Sequence, residues 1–191
     1  MALGLAGCLT VSPQQRLNHA GNVSYANGNY KTAIEDYHLA VVKARENNDK
    51  QYEAIAMYGL GRAYGNTCMY SKSVKWFLNS IALRKSIPDT DIAYLSQNHL
   101  ELARLHKAHN KNSKANEQFE MAIPLLDALN MQENDPISYA YMLKGYSSTL
   151  EKAGNIEKAK EIKSLIKKLR ENNPNKRAGF VSFPYPTNCS G

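Results

Sequence analysis

Long apolar runs are what this chain of 191 residues most plainly lacks. No stretch approaches the roughly 18 apolar residues that a helix needs to cross a bilayer, so no membrane span is predicted. Glycine and proline are scarce, at 11 and 7 residues, which excludes collagen-like and low-complexity organisation. Apolar residues make up 43%, too many for a wholly disordered chain. Catalytic signatures are missing too: there is no G-x-S-x-G, no Gly-rich loop ending in Lys-Ser or Lys-Thr, and no H-E-x-x-H. Gly59, Gly61 and Gly65 invite comparison with a phosphate loop, but they fall inside a helical pattern where close packing accounts for them. The length suits one domain, or at most two small ones, and neither an enzyme activity nor a cofactor is predicted.

Acidic residues are in deficit. Against 24 Lys and Arg there are 17 Asp and Glu, a formal net charge of +7, which suits an anionic partner. Eight of the basic residues fall between Lys158 and Arg177. Ile162, Leu165, Ile166 and Leu169 supply the apolar stripe of a helix there, so the charges read as its solvated face and nucleic acid is not predicted as a partner.

The first eight residues, MALGLAGC, end in a Leu-Ala-Gly-Cys sequence that resembles the lipobox of bacterial lipoproteins. The resemblance implies a diacylglycerol anchor on the Cys8 thiol and, with Leu9 rather than Asp following, retention at the outer membrane facing the periplasm. A working export signal needs a positive n-region and roughly 7 to 15 apolar residues. Only seven residues precede Cys8, none of them Lys or Arg, so the segment as written is not expected to be exported. Two accounts stay open: an upstream start that places Met1 inside the apolar region, or a chance match. Leu9 to Gln15, uncharged and largely polar, read as a tether and favour the first. Lipidation would leave Cys68 and Cys189, an even pair in an oxidising compartment, with pairing and two free thiols both open.

The stronger signal is a repeat. The segments GNVSYANGNYKTAIEDYHLA from Gly21, GRAYGNTCMYSKSVKWFLNS from Gly61, ARLHKAHNKNSKANEQFEMA from Ala103 and SSTLEKAGNIEKAKEIKSLI from Ser147 align without gaps. Each carries a small residue at one position (Ala33, Ser73, Ala115, Ala159). Four residues on, three of them carry an aromatic (Tyr37, Phe77, Phe119), while the fourth has Lys163. This pattern resembles the tetratricopeptide repeat, in which small residues let two antiparallel helices approach and an aromatic fills the gap between them. The spacings of 40, 42 and 44 residues exceed the usual period and resemble the long repeats of kinesin light chains and bacterial peptide-sensing regulators.

The resemblance implies an all-α solenoid of about four hairpins, hence eight helices, over residues 13–172. Residues 1–12 are the signal and tether, and 173–191 an extended tail. Breaks are expected at Asn47 to Asp49, Pro88 to Asp91 and Asn134 to Pro136. Asp91 and Asp135 should cap helices, and Gly or Asn should take the left-handed conformation in the turns ANGNY and AGNI. The fourth repeat reads as a solubilising cap. Pro124 predicts a kink or an early end to its helix. The tail, with Phe180, Phe183 and Tyr185 among prolines, is expected to lie extended against its own solenoid.

His99, His106 and His109 share a helical spacing that suggests a metal, but the first two occupy positions where the family places packing aromatics, so no metal site is predicted. The family instead implies a groove lined by the first helix of each repeat. Alignment assigns Asn18, Asn22 and Tyr25; Tyr58, Arg62 and Asn66; Gln97, Glu101, Arg104 and Lys107; and Tyr141 and Lys144. Amides suit a peptide backbone, rings cover side chains and cations meet carboxylates. Arg62 and Arg104 are expected to be exposed. The carboxylate clamp of chaperone-binding relatives is not predicted: Asn22 matches it, but Asn18, Gly59, Gln97 and Glu101 do not. The reading is a non-catalytic scaffold for a protein or peptide ligand, held at the envelope through Cys8. The alternative is a cytoplasmic regulator, adaptor or secretion chaperone.

Overall fold

The computed structural model describes residues 11–179 and 184–189. Its helices are α1 (Pro13–Ala26), α2 (Tyr30–Glu46), α3 (Lys50–Asn66), α4 (Tyr70–Lys85), α5 (Ile92–Ala108), α6 (Asn112–Ala128), α7 (Met131–Asn134), α8 (Pro136–Lys152) and α9 (Ile156–Glu171), with no strand among the described residues. The long helices pair as hairpins, α1 with α2, α3 with α4, α5 with α6 and α8 with α9. Each hairpin leans on the next through α2 on α3, α4 on α5 and α6 on α8, and the first helices α1, α3, α5 and α8 form a row. The four expected hairpins are present. The one-turn α7 is an addition: Asn130, left-handed at φ 51°, ends α6, and Met131 to Asn134 wind one further turn ahead of the expected break before Asp135 caps α8.

The aligned positions explain the pairing. Ala33, Ser73, Ala115 and Ala159 are all buried, as are Tyr37, Phe77 and Phe119. The aromatics act as wedges against glycine. A Cβ added to Gly21 or Gly59 would stand 2.7 or 2.5 Å from the Tyr37 ring, and one on Gly61 would stand 2.7 Å from Phe77. Real Cβ atoms do not approach so closely, so the first helices can touch these rings only where the side chain is absent. In the last hairpin Lys163 replaces the wedge and points outward to an ion pair with Glu151, while Ala159 and Leu169 are buried in the C-terminal cluster. The basic face of α9 is therefore solvated, as expected of a cap.

Asp91 accepts from the Ala93 amide at 2.8 Å and Asp135 from that of Ser138 at 3.1 Å, as the sequence predicts, and Asp49 caps α3 in the same way through the Tyr52 amide. The turns inside the hairpins each use one left-handed residue: Gly28, Cys68, Asn110 and Gly154, with φ of 76°, 61°, 56° and 85°. Gly and Asn tolerate that conformation, whereas cysteine occupies it at a cost. Pro124 does not end its helix, for α6 runs on to Ala128. Leu125, Leu126 and Ile123 flank the proline and pack into the clusters on either side, so burial holds the helix through the residue that its local preference would break.

Candidate functional site

The row of α1, α3, α5 and α8 presents the side chains that the repeat alignment assigns to a groove. At its N-terminal end, Asn66 donates to the Tyr25 hydroxyl at 2.8 Å, and the Arg62 guanidinium lies over the Tyr25 ring at 3.9 Å and the Tyr58 ring at 5.6 Å. Asn22 accepts from the Tyr37 hydroxyl at 2.7 Å, which ties the groove face to the wedge behind it. Burial is the main cause raising the Tyr25 and Tyr58 hydroxyls above their ordinary range, which favours their neutral, protonated form. Arg62 is half-buried in this stack rather than exposed as the sequence reading expects, because its flat cation is held between two rings.

At the centre, Glu101 is buried and paired with Arg104 one turn on, so Arg104 too is half-buried, contrary to expectation. The C-terminal tail reaches this point. Residues 184–189 have no helix or strand, and Tyr185, only 4% exposed, enters between α3 and α5. Its hydroxyl donates to Glu101 Oε2 at 2.7 Å, and Arg104 lies 5.5 Å from its ring. Gly65 makes the space, since a Cβ there would stand 2.6 Å from the Tyr185 ring. A disulfide between Cys68 and Cys189 fastens the tail, joining residues 121 apart in sequence. The expectation that the tail lies against its own solenoid is met for the described part of it; Phe180 and Phe183 fall outside the described residues, as does Cys8.

Beyond Tyr185 the face turns basic. Lys107 is half-buried, and burial together with Lys152, Lys144 and Arg104 holds its ammonium below the usual range, which places these cations close enough to repel one another. Lys144 and Gln97 are exposed, and Tyr141 turns toward α9, where Arg170 stands over its ring at 5.8 Å. The structure thus brings Tyr25, Tyr58, Arg62 and Asn66 into contact at one end of the row, with Asn22 bonded to Tyr37 behind them, and sets Arg104, Lys107 and Lys144 close enough to act on one another electrostatically. Among the described residues Gln97 and Tyr141 share no contact with either group.

Sequence reasoning missed Arg84 and Tyr94. Arg84 comes from α4, a second helix, and lies beneath the groove face with 1% of its surface exposed. It stands at the spacing of the buried stripe Ser73, Phe77, Ser80 and Ile81, and that charge among stripe positions was the available signal. With Asn18, Asn22, Tyr58, Arg62 and Tyr94 it lines a pocket of about 280 Å³. Its Nε and Nη1 have no hydrogen-bond partner among the described residues, and neither has the Asn18 side-chain oxygen. An unpaired buried donor costs on the order of 1–3 kcal/mol, and more when charged. Burial lowers the pKa of this guanidinium, with Tyr94 and Asp91 partly offsetting the effect.

His99, His106 and His109 meet residues of the second helices α4 and α6. His99 is hydrogen-bonded to Gln118 at 2.8 Å, His106 to the Tyr70 hydroxyl at 2.8 Å, and the His109 ring lies tilted against that of Tyr70, centroids 4.5 Å apart. His106 is buried, and burial first, then Lys114, Lys111 and His109, lower its pKa from 6.5 to about 4. The unfolded chain takes up a proton near pH 6.5 that the folded chain resists until about pH 4. The stability this residue contributes is therefore complete above pH 6.5 and lost as pH falls to 4, about 3 kcal/mol in all. Urea titrations between pH 7.5 and 4 should show that loss, and His106→Gln should reduce the slope by about one proton.

No protein family matches this sequence. No curated protein matches it either. Solved structures do match. BtubC (BKLC) from P. vanneervenii superimposes with a TM-score of 0.77 over 93% of this chain and 72% of its own, at 15% identity. A Podosopora anserina protein of the kinesin light chain kind, with nearly identical TPR-like repeats, gives 0.67 over 89% of this chain and 81% of its own, also at 15%. The apo form of RapI gives 0.70 over 85% of this chain at 13% identity, and this chain spans 44% of it. The fold is a tetratricopeptide-like α-solenoid.

Proposed function

We propose that this chain is a non-catalytic scaffold that holds an extended peptide or a segment of a partner protein along the row of α1, α3, α5 and α8. The observation that carries the reading is Tyr185. The groove already accepts an extended, proline-flanked segment and buries its aromatic side chain between α3 and α5, with the hydroxyl on Glu101. A surface that receives one such segment in cis has the geometry to receive another in trans. The solved structures of like fold support a scaffold in the coarse sense that they share the stacked hairpins.

The full-length double variant Tyr185→Ala, Cys189→Ser, whose own tail no longer fills the site, tests this. It should bind a labelled peptide spanning residues 178–189 with a Kd on the order of micromolar, and a peptide with Ala at the tyrosine should bind at least tenfold more weakly. Equal binding of the two peptides, or none, would overturn the groove assignment.

The finer reading places the protein in a bacterial envelope, anchored at the outer membrane through Cys8 and facing the periplasm. The Leu-Ala-Gly-Cys sequence and the Cys68–Cys189 disulfide support it, since such bonds persist in oxidising compartments and are rare in the cytosol. Cells expressing the gene from its upstream region should incorporate labelled palmitate into this protein, and Cys8→Ser should abolish the label. Unchanged labelling and fractionation would remove the anchor.

A further inference from the structure

The geometry points to the pocket between α1, α3 and α4 as a binding site for a carboxylate borne on a short apolar body. It rests on the groove reading only in that a peptide lying along the row of first helices would bring its carboxylate there. The donors come from three helices. Arg62 reaches in from α3 and Arg84 from α4, while Asn18 and Asn22 contribute side-chain amides from α1. No Asp or Glu lines the pocket, so two cations face it without an anion on the wall. Arg84 is the telling residue. It is 99% removed from solvent, it forms part of the wall, and two of its nitrogens have no partner among the described residues. A guanidinium used only for packing would be expected to find acceptors in its own fold. Among the described residues the Tyr94 ring stands over the guanidinium at 4.5 Å, and Tyr94 is itself 38% exposed.

The choice of carboxylate follows from the walls. Planar guanidinium forks match a planar carboxylate. Rings from Tyr52, Tyr58 and Tyr94, together with Ile55, line the rest of the pocket and would cover a carbon skeleton. The site differs from the chaperone-tail clamp because the buried cation comes from a second helix. The carboxylate could be a peptide C-terminus or an acidic side chain, and the experiment separates the two.

The test follows the Nε–H resonances of Arg62 and Arg84 in the intact oxidised protein. Probes are N-acetyl-leucine for a terminal carboxylate, N-acetyl-isoglutamine for a side-chain carboxylate, N-acetyl-leucinamide as the uncharged control, and inorganic phosphate. At least one carboxylate probe should shift both resonances saturably while the amide does not; whichever acts names the source. Arg62→Gln should weaken that binding at least tenfold, as should Arg84→Met if it folds. The wild-type titration stands without the variants. Equal shifts with phosphate would overturn the carboxylate assignment, and no saturable shift with either carboxylate would overturn the site. Neither result bears on the tail-peptide measurement, which reads the space between α3 and α5.

Discussion

Opening the Cys68–Cys189 bridge, by reductant or by Cys189→Ser, is expected to lower the free energy of unfolding by about 4 kcal/mol. The bond joins residues 121 apart. A cross-link over so long a loop removes a large share of the unfolded chain's freedom, and the chain-entropy account gives nearly 5 kcal/mol for a loop of about 100 residues. Denatured-state structure trims that figure. Little of the effect should come from the folded side, because Tyr185 keeps its own anchors, the hydrogen bond to Glu101 and the packing against Leu105 and Gly65. The two contributions separate cleanly. Cys189→Ser should move the urea midpoint strongly while the Tyr185 ring signals stay largely those of a buried side chain. Tyr185→Phe should cost about 1.5–3 kcal/mol, the value of one hydrogen bond to a charged group, with the bridge intact. Should reduction leave the midpoint where it is, the bridge does not form in the folded protein, and the case for an oxidising compartment goes with it.

How much of this was legible beforehand differs from residue to residue. Ala33 with Tyr37, Ser73 with Phe77 and Ala115 with Phe119 announced their hairpins, because a small residue and an aromatic one turn apart are what close helix approach requires. The turn residue Cys68 was legible in part. It stands where the other hairpins use Gly28, Asn110 and Gly154, and a cysteine taking a left-handed position invites another role. Its pairing with Cys189 depends on where the tail runs, which no local pattern encodes. Arg62 and Arg104 were expected to be exposed and are half-buried, because a repeat alignment places a position without saying that two tyrosines or a glutamate will enclose it. At Pro124 the early helix end that the sequence allowed as one of two outcomes does not occur, since α6 runs on to Ala128 with the residues beside the proline packed into the clusters on both sides. Arg84 lay hidden because an arginine on the second helix of a repeat is ordinarily solvated, and only its stripe spacing spoke against that.

Phe77→Ala is expected to cost about 3–5 kcal/mol, the range for truncating a fully buried phenylalanine. The ring has no exposed surface, sits 5.9 Å from Tyr58, and shares a cluster with Ile81, Leu95, Leu102, Leu105 and Tyr185. It therefore couples the second hairpin to the third and both to the tail. In a stacked array stability resides in such interfaces as well as in each repeat. The variant should accordingly lose cooperativity along with midpoint, the two halves unfolding at separate urea concentrations, and should hold Tyr185 less firmly. A double-mutant cycle with Gly61 identifies the cause. In the wild type, Gly61→Ala would set a methyl 2.7 Å from the Phe77 ring and should destabilise by about 1–3 kcal/mol through overpacking. In the Phe77→Ala background the same methyl enters the vacated space and gains helix propensity, so Gly61→Ala should there be neutral or stabilising. The coupling between the two substitutions should then exceed about 1 kcal/mol, whereas independent sites would add to within a few tenths. Additivity would mean that glycine and aromatic are not wedge and slot, and the packing rule drawn from Tyr37 and Phe77 would fall with it.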